Sequence, residues 1–599
     1  MLPLSLLLAA LAALASAQTT LPIPLYPSSP TLPSIPANYL GLSIELSSLS
    51  SLLGPGVPSR SNLSIPSPFL NYLQNVHTRL GAPLRIRIGG NSMDSSVYVS
   101  NQTTTLLEVL DPEANSNNVP VSFGPLLFST LSALITPSLN LSYTFGLPLL
   151  TPNDTSSYAP LAAAEGSLLP PGTLDLALLG NEPDLYYDHG ERPGSNYTVD
   201  DYMGDWAEEI EGMQGDLQYP ILGGPTICCE WDLSALLSSG YLTTFSTQLK
   251  AITLQHYPQN NCFGTYAFGL SYYLSHANVV GLAQWQAPGV ALARGAGKEV
   301  RMTEFNTASC GGVPGISDTF AATLWTIDYS LQLATQGFTG AHIHTREPGV
   351  SYNVFSPPNT SAVATDSPFA ASVLQALESG WTTGVTYWPL LVLAEALGNA
   401  SAPGSEVAYT APVDLNLSSD STAGYALYSS SLGWQLSGLL LINYGSANVS
   451  YTLPSTLAGS LGLRSTFLLA ADTATPAPAI TWGGQSISPA GTGNLTGPLV
   501  SVTQLCSPST EAAGGCEITV PGPGVALVKI TVGASAADGD GGGGAGGRST
   551  VTVLAGASTT GGAAPTQGAV SAALGGMGGR GAVWAALALG MLAALAACT

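Results

Sequence analysis

Residues 173–187 read TLDLALLGNEPDLYY. From Leu174 to Gly180 this is a run that only a buried strand tolerates, and it closes on Asn181, Glu182 and Pro183. Such a strand, apolar apart from Asp175 near its start, belongs to a parallel sheet covered on both faces. Its carboxylate is then delivered at the strand's end, where side chains reach solvent.

Seven more runs of the same kind surround it: Tyr39 to Glu45, Leu84 to Gly89, Leu141 to Gly146, Pro220 to Gly223, Ala251 to His256, Val300 to Glu304 and Gly340 to His344. Longer segments of helical spacing alternate with them. Phe69, Leu70, Leu73, Val76 and Leu80 recur at three and four before Gly81, and Phe320, Leu324, Ile327, Leu331 and Leu333 do the same before Gly337. Eight strands with eight crossovers give an α/β fold, a closed (β/α)8 TIM barrel. Only the third crossover, around Tyr158 to Gly166, reads as poorly helical.

From about Ala394 the texture changes to short segments broken by Gly, Ser, Asn and Pro, such as GYALYSSS and GVALVKITV. This predicts a C-terminal antiparallel β-sandwich over 391–532, packed on a barrel of 18–390 whose first residues could join the sandwich. Residues 533–581, rich in Gly, Ala, Ser and Thr, read as a stalk with no core to bury.

Both ends read as address labels. Residues 1–17 are apolar and close on Ala15-Ser16-Ala17, a signal-peptide cleavage pattern without the usual positive n-region. Residues 582–599 form a hydrophobic C-terminal signal after a Gly-rich spacer, which fits removal and replacement by a glycosylphosphatidylinositol anchor; a single membrane span is the other reading. Ten Asn-X-Ser/Thr sequons, at Asn62, Asn101, Asn140, Asn153, Asn196, Asn359, Asn399, Asn416, Asn448 and Asn494, agree with a secreted glycoprotein at the outer face of the plasma membrane or in the cell wall. In that oxidising setting Cys506 and Cys516 form the best disulfide candidate, while Cys228, Cys229, Cys262 and Cys310 are left without assigned partners.

The net charge of -23, with 14 basic residues in 599, leaves no stripe for phosphate, so nucleic acid is not an expected partner. No phosphate-cradling loop or metal-spaced cluster implies a cofactor or metal. His342 and His344 read as an inward pair on strand eight rather than a zinc site.

In a barrel of this kind the C-terminal strand ends form the reactive face. Glu182 ends the fourth run, and Glu304, in VRMTEFNTASCGG, ends the seventh. Two carboxyls at one mouth match glycoside hydrolysis, where one protonates the leaving oxygen and the other traps the sugar. Taken singly, Glu182 could cap a loop, and Glu304 could pair with Arg301 or Arg87.

GNEPDLY, followed by TEFNTASCGG, resembles glycoside hydrolase family 79, the β-glucuronidase and heparanase family, over about Gly41 to Val532. The resemblance implies retaining hydrolysis at β-linked glucuronic acid by a barrel followed by a β-sandwich. It implies Glu182 as general acid/base, Glu304 as nucleophile, Asn181 on the sugar 2-hydroxyl and Tyr257 steadying the nucleophile. Glu45, Asn91 and Asp94 resemble sugar-hydroxyl contacts, although Gly89-Gly90-Asn91 reads equally as a loop turn. The resemblance places the uronate carboxylate on Gly311, Gly312 and Tyr352.

Heparanases need basic grooves, and this chain has a strong negative field that would repel sulfated polyanions. The expected substrate is therefore a glycan or proteoglycan with terminal β-glucuronate or its 4-O-methyl form, cut from the end. A non-catalytic glycan-binding wall protein, or a same-barrel enzyme acting on a neutral sugar, are the alternatives. Membrane contact is expected only through the lipid anchor.

Overall fold

The computed structural model describes residues 19–554, apart from 30, 55–64, 116, 151–154, 193–195, 361–370, 399–407, 455–456, 458–460, 507–515 and 534–548. Both terminal signals, and the sequons at Asn62, Asn153 and Asn399, lie outside the described residues.

All eight runs are parallel barrel strands: β1 Leu40–Glu45, β2 Leu84–Gly89, β3 Leu141–Leu147, β4 Leu174–Leu179, β5 Leu222–Ile227, β6 Leu249–His256, β7 Glu299–Phe305 and β8 Gly340–Thr345. They close in sequence order, β8 pairing β1 and β4 pairing β5. β5 begins two residues later than expected and runs on to Ile227. Pro220 has no N–H for a ladder, so pairing starts beyond it.

The helices lie outside. The third crossover is helical after all, Thr155–Leu168, with Pro160 inside. Its Ala-rich sequence is a good helix former but has no apolar stripe, so periodicity misses it. The last barrel helix, Tyr387–Leu397, is buried nearly all round and packs against Ser67–Leu80 and Phe320–Gln336. The barrel thus ends after Leu397 rather than at 390.

The second unit pairs two unequal sheets. The larger runs in the order Ile35–Pro36, Tyr409–Asp414, Thr422–Ser429, Gln435–Asn443, Gly524–Val532, Leu461–Leu469, Leu499–Cys506 and Ser549–Leu554, with Thr481–Trp482 beside Leu461–Leu469. The smaller joins Thr19–Thr20, Val449–Thr452 and Glu517–Val520, so the chain's first described residues do belong to the sandwich. Alternation along Gly524–Val532 explains the layering: Ala526, Val528 and Ile530 face the small sheet, while Val525 and Leu527 join the core shared with the barrel.

Ser549–Leu554 corrects the stalk reading of 533–581 in part. Its STVTVL sequence is β-branched at four consecutive positions, Thr550 to Val553, and pairs antiparallel with Leu499–Gln504.

Candidate active site

The mouth of the barrel is built from strand ends. After Leu179 the chain turns through Gly180 (φ 82°) and then Glu182, which itself holds φ 50° and ψ 51°. Left-handed backbone at a bulky non-glycine residue is strained and persists only where its surroundings enforce it. Here the Glu182 N–H donates to Thr226 O at 3.2 Å, and Asp184 accepts from the N–H groups of Cys228, Cys229 and Glu230 at 2.8 to 3.2 Å. The loops after β4 and β5 therefore hold one another.

The two glutamates have opposite surroundings. Glu304 accepts from Arg87 Nη1 at 2.5 Å through Oε2 and from Tyr257 Oη at 2.7 Å through Oε1. Glu182 makes no ion pair among the described residues. Burial pushes its carboxyl well above the usual range, the charges of Glu304, Cys229 and Asp184 push it further, and Arg87 opposes them. One carboxyl is thus held by a cation, and the other is driven toward its neutral form.

Arg87 organises the centre. Wholly buried, it also donates to Ser43 Oγ at 3.0 Å and, through Nη2, to Asn181 Oδ1 at 2.8 Å. Asn181 Nδ2 in turn donates to Asn91 Oδ1 at 2.9 Å. Asp94 has a supporting place. Its carboxylate takes the N–H groups of Leu149 and Asn181 and the hydroxyl of Tyr186, while burial pushes it up to about 6.

Glu45 accepts from the N–H and hydroxyl of Ser92, with His344 Nε2 at 3.5 Å. Burial works against its charge, but His344, Arg346 and Ser92 outweigh it and hold the carboxyl below its usual range. Gly90 permits this packing, since a Cβ there would fall 2.0 Å from Glu45 Oε2. Asn91, Asp94, Asn181 and Glu182 line one hollow with His189 and Glu191.

Across the mouth, Cys310, Gly311 and Gly312 hold φ of 57°, 89° and 80° in succession. The Gly311 and Gly312 amides donate to nothing among the described residues, although both residues are buried. Their loop is tied to the one after β6 by the Cys262–Cys310 disulfide and by Asn261 Nδ2 donating to Gly312 O at 2.8 Å. Tyr352, 1% exposed, packs beside Gly312. The charges of Arg346, Glu304 and Glu45 all act on its hydroxyl. The structure therefore gathers Asn181, Glu182, Tyr257, Glu304, Glu45, Asn91, Gly311, Gly312 and Tyr352 at one face.

Gln255, Ser43, His344 and Arg346 also stand at that face without a motif in the sequence to mark them, and Arg87 is more than a possible ion partner of Glu304. Their one signal is position, at or near the ends of strands already recognised. Arg301 pairs instead with Asp175 and Glu299 at the opposite end of the barrel. His342 and His344 are both buried on β8, against Met302 O and Ser43 Oγ respectively. Among the described residues no cluster of three or more His, Cys, Asp or Glu could hold a metal ion. Cys506 and Cys516 are bonded, and Cys228 and Cys229 are free thiols.

No family model matches the chain. A β-glucuronidase of Aspergillus niger is 26% identical over 488 residues, spanning 75% of this chain and 82% of that relative. A β-glucuronidase of Neurospora crassa is 24% identical over 387 residues, spanning 57% of this chain and 64% of its own length, a little under two thirds. Among solved structures, the 4-O-α-L-rhamnosyl-β-D-glucuronidase of Fusarium oxysporum superposes with a TM-score of 0.67 at 20% identity, covering 85% of this chain and all of its own. A family 51 α-L-arabinofuranosidase of Bifidobacterium longum gives 0.53 at 12% identity, covering 83% and 97%. These two structural likenesses are of fold.

Proposed function

We propose that the chain, a β-glucuronidase-like member of glycoside hydrolase family 79, is a retaining enzyme that removes terminal β-linked glucuronate from glycans. The observation carrying this reading is the division of labour between the two strand-end carboxyls, Glu304 ion-paired to Arg87 and Glu182 pushed toward neutrality. A retaining hydrolase needs that division.

Glu304 attacks the anomeric carbon while Glu182 protonates the leaving oxygen, giving a covalent glycosyl-enzyme. Glu182, now a carboxylate, takes a proton from water, whose oxygen displaces Glu304. Asn181 faces the sugar's 2-hydroxyl, where a hydrogen bond strengthens as charge develops. The uronate carboxylate meets the open amides of Gly311 and Gly312 with the Tyr352 hydroxyl, a concave set of donors suited to an anion.

A panel of p-nitrophenyl glycosides tests this. Glucuronide turnover should lead the panel and vanish in Glu304→Gln; faster turnover of a neutral glycoside would favour the neutral-sugar alternative, and none at all the binding protein. Heparan sulfate should resist attack, as the negative field predicts, and cleavage of it alone would overturn end-wise action.

Secretion and lipid anchorage belong to the same proposal. All seven described sequon asparagines are exposed, at Asn101, Asn140, Asn196, Asn359, Asn416, Asn448 and Asn494, and two disulfides lie among the described residues, which supports an extracellular place. Release of the protein from intact cells by a phosphatidylinositol-specific phospholipase is the expected result; retention after treatment would rule the anchor out.

A further inference from the structure

Two of the described cysteines, Cys228 and Cys229, stand side by side as free thiols just past the end of β5. Cys228 is buried and Cys229 is exposed. Their thiols hydrogen-bond to one another. Neither enters the hydrolytic steps.

The peptide that joins them is held on both sides. Its carbonyl, Cys228 O, accepts from His256 Nδ1 at 3.3 Å, and the His256 ring stacks on Trp285 at 4.0 Å. Its N–H, on Cys229, donates to Asp184 Oδ2 at 2.8 Å, and the N–H groups of Cys228 and Glu230 reach the same carboxylate at 3.2 and 2.8 Å. Asp184 follows closely on Glu182, whose own N–H donates at 3.2 Å to Thr226 O, just before the cysteine pair. The left-handed backbone at Glu182, φ 50°, is therefore enforced by the chain around the two thiols.

Across a trans peptide neighbouring Cα atoms are about 3.8 Å apart, below the range of about 4.4–6.8 Å usual for disulfides. The other two pairs, at 5.1 and 5.6 Å, lie inside it. A bridge between neighbours must twist the backbone that joins them, and that strain makes it easy to reduce.

We propose that Cys228 and Cys229 form a reversible dithiol–disulfide site whose closure turns their shared peptide, releases Asp184 and takes Glu182 out of its working position. The oxidant is a low-molecular-weight disulfide such as oxidised glutathione. The Cys229 sulfur attacks it as the thiolate, the S–S bond of the oxidant breaks, and one glutathione thiolate leaves. The Cys228 sulfur then displaces the second, losing its proton as the new S–S bond forms. Two protein thiols thus give up two electrons and two protons, and one glutathione disulfide becomes two thiols. Burial pushes the Cys228 thiol well above its ordinary value, with Cys229, Glu182 and Asp184 adding to it, so the exposed Cys229 reacts first. The thiol chemistry stands on this geometry alone; its effect on turnover rests on the glycosidase reading.

The test equilibrates the whole protein in glutathione buffers, traps free thiols with N-ethylmaleimide and reads the peptide carrying both cysteines by mass spectrometry. As the oxidised fraction of glutathione rises, both labels should disappear together, while Cys262, Cys310, Cys506 and Cys516 stay bonded throughout. Amide exchange at Cys229 and Glu230 should quicken in the oxidised protein, since their acceptor has been lost. With p-nitrophenyl glucuronide, kcat should fall at least about tenfold on oxidation with KM unchanged, as expected when a reacting group is misplaced, and dithiothreitol should restore it. Cys229→Ser, whatever its own rate, should turn over equally in reducing and oxidising buffer; Cys228→Ala carries this control if the serine variant does not fold. Labelling of both thiols at every ratio, or glutathione held on Cys229 without closure, overturns the proposal. So does a closed bridge that leaves exchange and kcat as they were. If the reduced protein cleaves no glucuronide, the hydrolase reading fails, and labelling with exchange still decides the site.

Discussion

Tyr257 shows how much a single side chain contributes at this mouth. Its hydroxyl donates to Glu304 Oε1, and burial with the nearby negative charge of Glu304 pushes its own ionisation far above the ordinary value, so it stays a donor at every working pH. A hydrogen bond to a charged group is worth about 1.5–3 kcal/mol. Tyr257→Phe should therefore lower kcat by roughly 10- to 100-fold while KM moves little. A rise in KM alone would make the hydroxyl a sugar contact instead. Residues such as Glu182 and Glu304 were legible because an acid after an apolar strand is anomalous. Arg87 in LRIRIG and Gln255 in LQHYP were less so, since a strand shows its inward face only once the barrel has closed.

Elements were legible where a physical rule had one answer. β1 to β8 are short runs rich in apolar residues, set between segments of helical spacing, and each lies within a few residues of its expected place. Tyr387–Leu397 escaped because YWPLLVLAEAL is apolar all round and has no period to detect. The loop after β7 is a different case. Its twin glycines were assigned by resemblance, but the disulfide fastening them to the β6 loop joins cysteines 48 residues apart, and spacing alone does not choose that pair. Gly312→Ala tests the loop as a unit. A Cβ at φ 80° would stand 2.7 Å from Ser317 Oγ and 3.1 Å from Tyr352 Cβ, so the turn must shift. Activity on an aryl glucuronide should fall at least about tenfold, the order expected when a site loses a polar contact to one substrate group, whereas any residual turnover of the matching glucoside should be unaffected. Parallel loss on both sugars would remove Gly311 and Gly312 from the uronate site.

Across the whole molecule charged residues are only 9% of the chain, and three buried groups of them stand out among the described residues. The mouth holds Glu182 and Glu304, and the opposite end of the barrel holds Asp175 between Arg85, Arg301 and Lys250. The third place joins the barrel to the sandwich. His276 Nδ1 meets Asp328 Oδ2 at 2.8 Å and its Nε2 meets Asp414 Oδ2 at 3.2 Å, while Tyr425 and Tyr444 close on Asp328 from the large sheet. Burial disfavours the imidazolium, but the two aspartates outweigh it and raise His276 to about 10. A group whose affinity for protons is higher folded than unfolded stabilises the fold fully below its unfolded value, about 6.5, and loses that contribution as pH climbs through the folded one. Urea denaturation should accordingly show stability declining between pH 7 and pH 10. His276→Gln, which leaves Asp328 with less compensation for its charge, should cost about 3–5 kcal/mol at pH 7 and flatten that decline. An undiminished slope in the variant would mean that the pH dependence arises elsewhere and that the clamp joins the two units by packing alone.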